Sequence, residues 1–157
     1  MLNIFGGKIT TYRRLAESAL EHIGKHLDVA KDPWTAGAPL PGGDFAVYGV
    51  ETLIAELKRA YPFLTDFWAK RLVRAYGTEA WDVMAGAEQE ADMGRTFGAS
   101  LTEREVRWLQ KNEYARTAED VVWRRNKLGL RLTESEIAAL QTYMSDRMSE
   151  RRARAAE

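Results

Sequence analysis

This sequence has no cysteine, so it holds no disulfide framework, no thiolate metal site and no cysteine nucleophile. It also lacks an excess of either charge. Lysine and arginine number 23 and aspartate and glutamate number 23, and a net charge of zero gives no overall field to steer a polyanion. No apolar run approaches the roughly 18 residues that span a bilayer, and the N-terminus shows no basic region followed by an apolar core. Together these features predict a cytoplasmic protein. The four prolines are sparse, and three of them (Pro33, Pro39 and Pro41) crowd into one stretch. What remains is 157 residues with 45% hydrophobic content, enough for one domain with a real core.

The most informative stretch is the beginning, Asn3-Ile4-Phe5-Gly6-Gly7-Lys8-Ile9-Thr10-Thr11-Tyr12-Arg13. Residues 2 to 5 read as the end of a β-strand. Gly6 and Gly7 let the backbone turn through positive φ and approach a ligand closely, and Thr10 and Thr11 are good cap residues for a following helix. Leu15, Ala19, Ile23 and Leu27 recur every four residues and predict that helix over Tyr12 to Leu27. Its start is a positive pole, to which Lys8 adds a full charge, so an anionic group belongs there. A phosphate fits, as does the N1/O2 edge of a reduced flavin.

Several further runs accompany this one. They are Trp34-Thr35, Pro39-Leu40-Pro41-Gly42-Gly43-Asp44, Tyr61-Pro62-Phe63-Leu64, Arg71-Leu72-Val73-Arg74-Ala75-Tyr76-Gly77, and the long run from Ala115 to Leu130. With Gly6 to Arg13, they resemble the C-terminal region of FAD-dependent, quinone-linked glycerol-3-phosphate dehydrogenases, over nearly the whole chain except the tail. The Gly-x-Gly-x-x-Gly turn that grips the ADP half of FAD in that family is not in this sequence. The resemblance therefore implies a fold that is mainly α: a helical C-terminal domain preceded by the last strand and helix of a flavin-binding α/β domain. Residues 1–27 end the FAD-binding domain, 28–44 form a linker, 45–148 make the helical domain and 149–157 a tail.

The same resemblance implies the chemistry. Gly6, Gly7, Lys8, Ile9 and Thr10 approach the flavin, and Lys8 also lies near the substrate phosphate. The parent reaction oxidises sn-glycerol 3-phosphate to dihydroxyacetone phosphate and passes electrons through FAD to quinone, with peripheral membrane contact. The oxidase variant passes them to oxygen instead. The catalytic base and the phosphate-clamping arginines come largely from a missing N-terminal flavin domain, so the chain alone is expected to be inactive and not to bind FAD tightly. A competing class is a stand-alone helical module whose exposed first helix binds a partner or forms a homo-oligomer.

Within the helical part, Val50, Leu53, Ile54 and Leu57 predict one helix ended at Tyr61-Pro62. Phe67, Leu72 and Val73 predict a second, capped by Thr65 and ended by Gly77. Thr78-Glu79 starts a short third with Trp81 and Met84 as its apolar side, and a glycine-bearing loop follows from Gly94 to Ser100. Thr102-x-x-Glu105, Thr117-x-x-Asp120 and Thr133-x-x-Glu136 read as capping boxes. Val106 and Leu109 mark the first core face behind them, Ala118, Val121, Val122 and Leu128 the second, and Ile137, Leu140, Met144 and Met148 the third.

Two patterns invite sharper readings and lose to plainer ones. His22 and His26 stand at a spacing that can hold zinc, but no glutamate lies between them and no third ligand is suggested. No metal is assigned. Trp123-Arg124-Arg125-Asn126-Lys127 with Arg131 could be a nucleic-acid stripe. The neighbouring Glu113, Glu119 and Asp120 favour intramolecular pairing instead.

Overall fold

The computed structural model describes residues 1–27 and 32–155, with side chains through Ser149. The chain divides into two compact units, Met1–Leu40 and Pro41–Glu157. Among the described residues, six α-helices form: α1 (Tyr12–Gly24) in the first unit, and α2 (Val50–Ala60), α3 (Asp66–Tyr76), α4 (Ala80–Met84), α5 (Glu103–Asn112) and α6 (Glu134–Ala155) in the second. Among the described residues no strand forms. The nearest approach to one is a single antiparallel bridge between Thr96 and Thr102.

The second unit is built outward from helix faces set by sequence spacing. Helix α2 packs on α3, α3 on α4 and α4 on α5. Leu57, Leu72, Met84, Met93, Leu101, Leu109, Leu140 and Met144 are fully buried in one core. Each such side chain contributes roughly 1.5–3 kcal/mol by leaving water. Thr65 caps α3 as expected, its hydroxyl accepting from the Trp68 amide at 3.2 Å. Trp68 packs edge-on against Phe63, which in turn meets Tyr61.

Gly77 ends α3 at φ 56°, and the reason for glycine is visible in its neighbour. Gly42, at φ 73°, presses its backbone on the end of α3, and its carbonyl accepts from the Thr78 amide at 3.0 Å. A Cβ on Gly42 would lie 2.1 Å from the Tyr76 carbonyl oxygen, and one on Gly77 would lie 1.8 Å from the Gly42 oxygen. No side chain fits at either place.

The three capping boxes fare differently. Thr133 and Glu136 form theirs at the start of α6: the Thr133 amide donates to Glu136 Oε2 at 2.7 Å and the Glu136 amide to Thr133 Oγ1 at 3.3 Å. Thr117 and Asp120 also pair reciprocally, at 3.0 and 3.2 Å. Thr102 and Glu105 do not. Thr102 stands at the start of α5 with extended backbone but makes no side-chain cap, and its buried Oγ1 has no hydrogen-bond partner. Glu105 turns inward instead, because a buried cation awaits it. Arg71 on α3 donates Nη1 to Glu105 Oε1 at 2.7 Å and Nη2 to Oε2 at 2.6 Å, and the Tyr76 hydroxyl donates to Oε1 at 2.6 Å.

Ser100 completes the cluster, its Oγ accepting from Arg71 Nε and its carbonyl from Nη2, both at 2.9 Å. Ala99 and Ser100 hold positive φ, 45° and 64°, to present these atoms. Such backbone costs on the order of 1 kcal/mol or more per residue, offset here by charge-assisted hydrogen bonds. Burial works against the Arg71 charge, but the Glu105 carboxylate more than restores it and holds the guanidinium above its ordinary value. Burial also pushes the Tyr76 phenol well up, and the adjacent carboxylate adds to that.

Other expectations shift locally. Helix α1 stops at Gly24, short of Leu27, with Lys25 and His26 in the following turn. Residues 2 to 5 are not a strand, since an isolated edge has no backbone partners in this chain. Phe67 is exposed, with the Arg131 guanidinium 4.9 Å from its ring centre. The helix expected over Ala118 to Leu128 is a π-helical turn, Asp120–Arg125, which sets Trp123 over Gly129. The last residues through Ala155 continue α6.

Removing one partner of the buried pair strands the other in a dry site. Glu105→Ala is expected to cost about 3–5 kcal/mol in urea unfolding, and the paired replacement Arg71→Met with Glu105→Leu much less. Equal losses for the two variants would contradict this account.

Asp120 gives a pH prediction. The Arg116 amide first, then the Thr117 amide and the Arg124 guanidinium, hold its carboxyl well below the usual range. A depressed carboxyl stabilises fully above its unfolded value of about 3.9 and loses that contribution as pH falls further. Asp120→Asn is expected to cost on the order of 1 kcal/mol at neutral pH and to flatten the fall of stability below pH ~4.

Candidate functional site

The first unit carries every residue singled out for ligand contact. Gly6 and Gly7 adopt φ 78° and 153°. A Cβ on Gly6 would meet nothing within 4 Å, and one on Gly7 would come 3.2 Å from Leu15 Cδ2. Gly6 is thus glycine for its positive φ, while Gly7 also serves the close approach of α1. Lys8 follows in extended backbone and precedes a single 3₁₀ turn, Ile9–Thr11, which leads directly into α1. The Lys8 carbonyl accepts from the Thr11 amide at 2.9 Å and from the Thr11 hydroxyl at 3.2 Å.

That second bond corrects the capping role. Thr11 stands at the N-cap of α1 but makes no side-chain cap, because its hydroxyl donates backwards to Lys8. As at any helix start, the Ile9 and Thr10 amides have no intrahelical acceptor. Gly6, Gly7, Lys8, Ile9 and Thr10 are all exposed, so the backbone and the ammonium group are accessible from outside the unit.

A cleft of about 350 Å³ lies beside this turn. Its wall is formed by Leu2 to Gly7 on one side and by Thr11, Leu15, Ser18, Ala19 and His22 of α1 on the other. Gly6 and Gly7 line it, whereas Lys8, Ile9 and Thr10 do not. Phe5, Ile9, Tyr12 and Leu20 are also exposed, and no residue of α1 is buried. His22 does not face a metal partner: its Nδ1 lies 2.9 Å from the Ser18 carbonyl, and His26 lies beyond the end of α1. Among the described residues, no group of three or more histidine, cysteine or acidic side chains is placed to hold a metal ion.

One constellation in this unit has no counterpart in the sequence reading. Arg13 Nη1 donates to Glu17 Oε2 at 3.0 Å and to Thr35 Oγ1 at 3.3 Å, and the Thr35 hydroxyl donates to Glu17 Oε1. The Thr35 hydroxyl foremost, with the Arg13 charge, holds the Glu17 carboxyl below its ordinary value. The Arg13–Glu17 spacing of four was readable as a helix pair. No local signal points from Thr35 to either.

The basic stripe in the second unit is internally engaged. Arg124 bonds Asp120 at 2.6 Å and Glu119 at 3.1 Å, Arg125 Nε donates to the Glu113 carbonyl at 2.8 Å, and Lys127 caps the Trp123 carbonyl. No described helix is long and apolar enough to cross a membrane.

Known proteins resemble this chain over most of its length. Residues 33–153 match the family described as the C-terminal domain of alpha-glycerophosphate oxidase. The chain is 45% identical over 144 residues to glycerol-3-phosphate dehydrogenase of Pseudomonas aeruginosa, covering 92% of this chain and 28% of that protein. It is 43% identical over 146 residues to D-erythritol 1-phosphate dehydrogenase of Brucella abortus, covering 93% and 29%. With the aerobic glycerol-3-phosphate dehydrogenase of Escherichia coli it shares 36% over 152 residues, covering 96% and 30%. The chain spans less than a third of the length of these curated relatives. A family match over 33–153, which is well over half of the residues, has one meaning: the chain belongs to the family of the C-terminal domain of alpha-glycerophosphate oxidase.

Proposed function

We propose that this chain is the C-terminal third of an FAD-dependent glycerol-3-phosphate dehydrogenase, and that it contributes the Gly6 to Thr10 turn to that enzyme's flavin and substrate site. The carrying observation is the turn itself: a lysine and the open amides of a helix start, joined by two glycines, all exposed in a unit whose helix buries none of its own side chains. The 45% identity to a glycerol-3-phosphate dehydrogenase supplies the reaction.

The turn fits the anionic edge of a flavin. Gly6 leaves open space where a Cβ would stand, the Ile9 and Thr10 amides are donors at a helix start, and Lys8 brings a positive charge. FAD, when bound, supplies the hydride acceptor for oxidation of sn-glycerol 3-phosphate to dihydroxyacetone phosphate. Gly6 and Gly7 allow the backbone to come close, Ile9 and Thr10 hold negative charge through their amides, and Lys8 serves both that charge and the substrate phosphate. The proton-abstracting base belongs to the flavin domain outside this chain. Electrons pass to quinone, at a peripheral site on the inner face of the membrane.

A second substrate reading has its own support. The 43% identity to a D-erythritol 1-phosphate dehydrogenase nearly equals that to the glycerol-3-phosphate enzyme, so a longer polyol phosphate is the competing substrate. The oxidase in the family's description similarly makes oxygen the competing acceptor.

A chimera tests these assignments. This chain replaces the matched segment of the Pseudomonas aeruginosa enzyme, and dye reduction is followed with glycerol 3-phosphate and with erythritol phosphate, alongside oxygen uptake. The chimera is expected to hold FAD and prefer glycerol 3-phosphate, with negligible oxygen uptake. Lys8→Ala is expected to lower kcat/KM about 100-fold, as for loss of one donor at a developing anion, at unchanged FAD content and Tm. A folded, FAD-loaded chimera without activity on either substrate overturns the function, and an unchanged Lys8→Ala rate removes Lys8 from the site. The chain by itself is expected to be colourless, because the nucleotide grip lies elsewhere. A stoichiometric yellow complex contradicts that.

A further inference from the structure

Helix α1 begins at the Gly6 to Thr10 turn, yet none of its residues is fully buried, and beyond the close approach of Leu15 to Gly7 apolar packing within its unit does little to fix the rotation of the helix about its axis. A polar ring takes that place. Arg13, in the first turn of α1, donates through Nη1 to both Glu17 and Thr35, and the Thr35 hydroxyl donates to the remaining oxygen of Glu17. Thr35 therefore accepts and donates at once, which fixes its rotamer as well as its distance.

The three groups join positions 18 and 22 residues apart. Thr35 itself starts a 3₁₀ turn, Thr35–Gly37, closed by the Ala38 amide on the Thr35 carbonyl at 3.3 Å. The Thr35 backbone amide adds to the hold on the Glu17 carboxylate. An arginine–glutamate pair on one exposed helix face is worth little. The hydroxyl from outside the helix changes its meaning, because it ties the rotation of α1 to a second piece of backbone. Arg13 and Glu17 are only about one-third and one-fifth exposed, at 32% and 20%.

We propose that Thr35, acting through Glu17 and Arg13, is a positioning residue that sets the angle at which α1 aims the Gly6 to Thr10 turn at its ligand. This rests on the reading of that turn as part of a flavin and substrate site. A reacting group displaced by about 1 Å can cost a hundredfold in rate, so a tie that holds the rotation of α1 bears on how the turn meets its ligand.

Two measurements decide it. In the 157-residue chain, the Glu17 side-chain carboxyl is followed by carbon-13 NMR against pH. Its midpoint is expected below the ordinary glutamate range, and Thr35→Val, which keeps the shape and removes the hydroxyl, is expected to raise it while Thr35→Ser leaves it low. In the active chimera, Thr35→Val is expected to lower kcat about tenfold with KM within about twofold, at unchanged Tm and FAD content, and Thr35→Ser to restore it. Glu17 titrating alike in the wild type and Thr35→Val overturns the proposal, as does a kcat unchanged by Thr35→Val. A loss of Tm and FAD in step with kcat overturns it too, since that is a structural role. An inactive wild-type chimera with a low Glu17 midpoint fails the flavin reading and removes the positioning role with it, whereas an active one that ignores Thr35→Val fails the positioning role alone.

Discussion

A buried arginine facing a buried glutamate constrains the helical unit more than any apolar contact in it. Hydrophobic burial is non-directional and tolerates sliding, but Arg71 and Glu105 meet through two parallel hydrogen bonds that allow one relative setting of α3 and α5. Other features follow from that demand. The loop before α5 must bring the Ser100 carbonyl to the remaining face of the guanidinium, so Ala99 and Ser100 adopt left-handed backbone. Tyr76 must end α3 with its hydroxyl on the carboxylate. The Glu105 carboxylate, engaged in the core, is not free to accept from the Thr102 amide as a capping box requires, and the buried Thr102 hydroxyl also lacks a partner. The strain and the orphaned group are local costs of satisfying a charge that could not be buried alone.

This cluster also marks where the sequence could be read and where it could not. Periodicity found the helices, and the apolar positions it assigned to the core, such as Leu57, Leu72, Val106, Leu109, Leu140 and Met144, are buried. Caps were readable where both partners are local and exposed: Thr65, Thr117 with Asp120, and Thr133 with Glu136. The box at Thr102 has the same letters and a different outcome, because a motif of four residues carries no information about a guanidinium 34 positions away. Gln89 with Asp92 shows the converse, a reciprocal cap whose first residue is not a usual cap type. The π-helical turn at Asp120–Arg125 was equally hidden. Its extra residue per turn answers to Trp123 seating on Gly129, a contact that periodicity at 3.6 residues does not encode.

The first unit offered a different kind of signal: consecutive residues, two glycines, a lysine and a helix start, whose chemistry suits an anion without any long-range partner. The structure adds the conformations that make those residues necessary: positive φ at Gly6 and the narrow passage between Gly7 and Leu15. What the letters could not show is the Arg13, Glu17 and Thr35 ring, since its third member follows a proline-bearing stretch with no pattern of its own. The exposed apolar side chains around the turn, Phe5, Ile9, Tyr12 and Leu20 among them, are consistent with relatives more than three times as long as this chain.

The contact between Gly42 and Gly77 has a mechanical side. Two backbones that touch without side chains between them leave no soft layer to absorb displacement. Gly77 directly follows Tyr76, and Tyr76 holds Glu105. A displacement of the chain at Gly42 therefore meets Gly77 directly, one residue from the Tyr76 whose hydroxyl holds Glu105. The segment that enters the helical unit is seated on bare backbone, and that close seat exists because both positions omit a side chain.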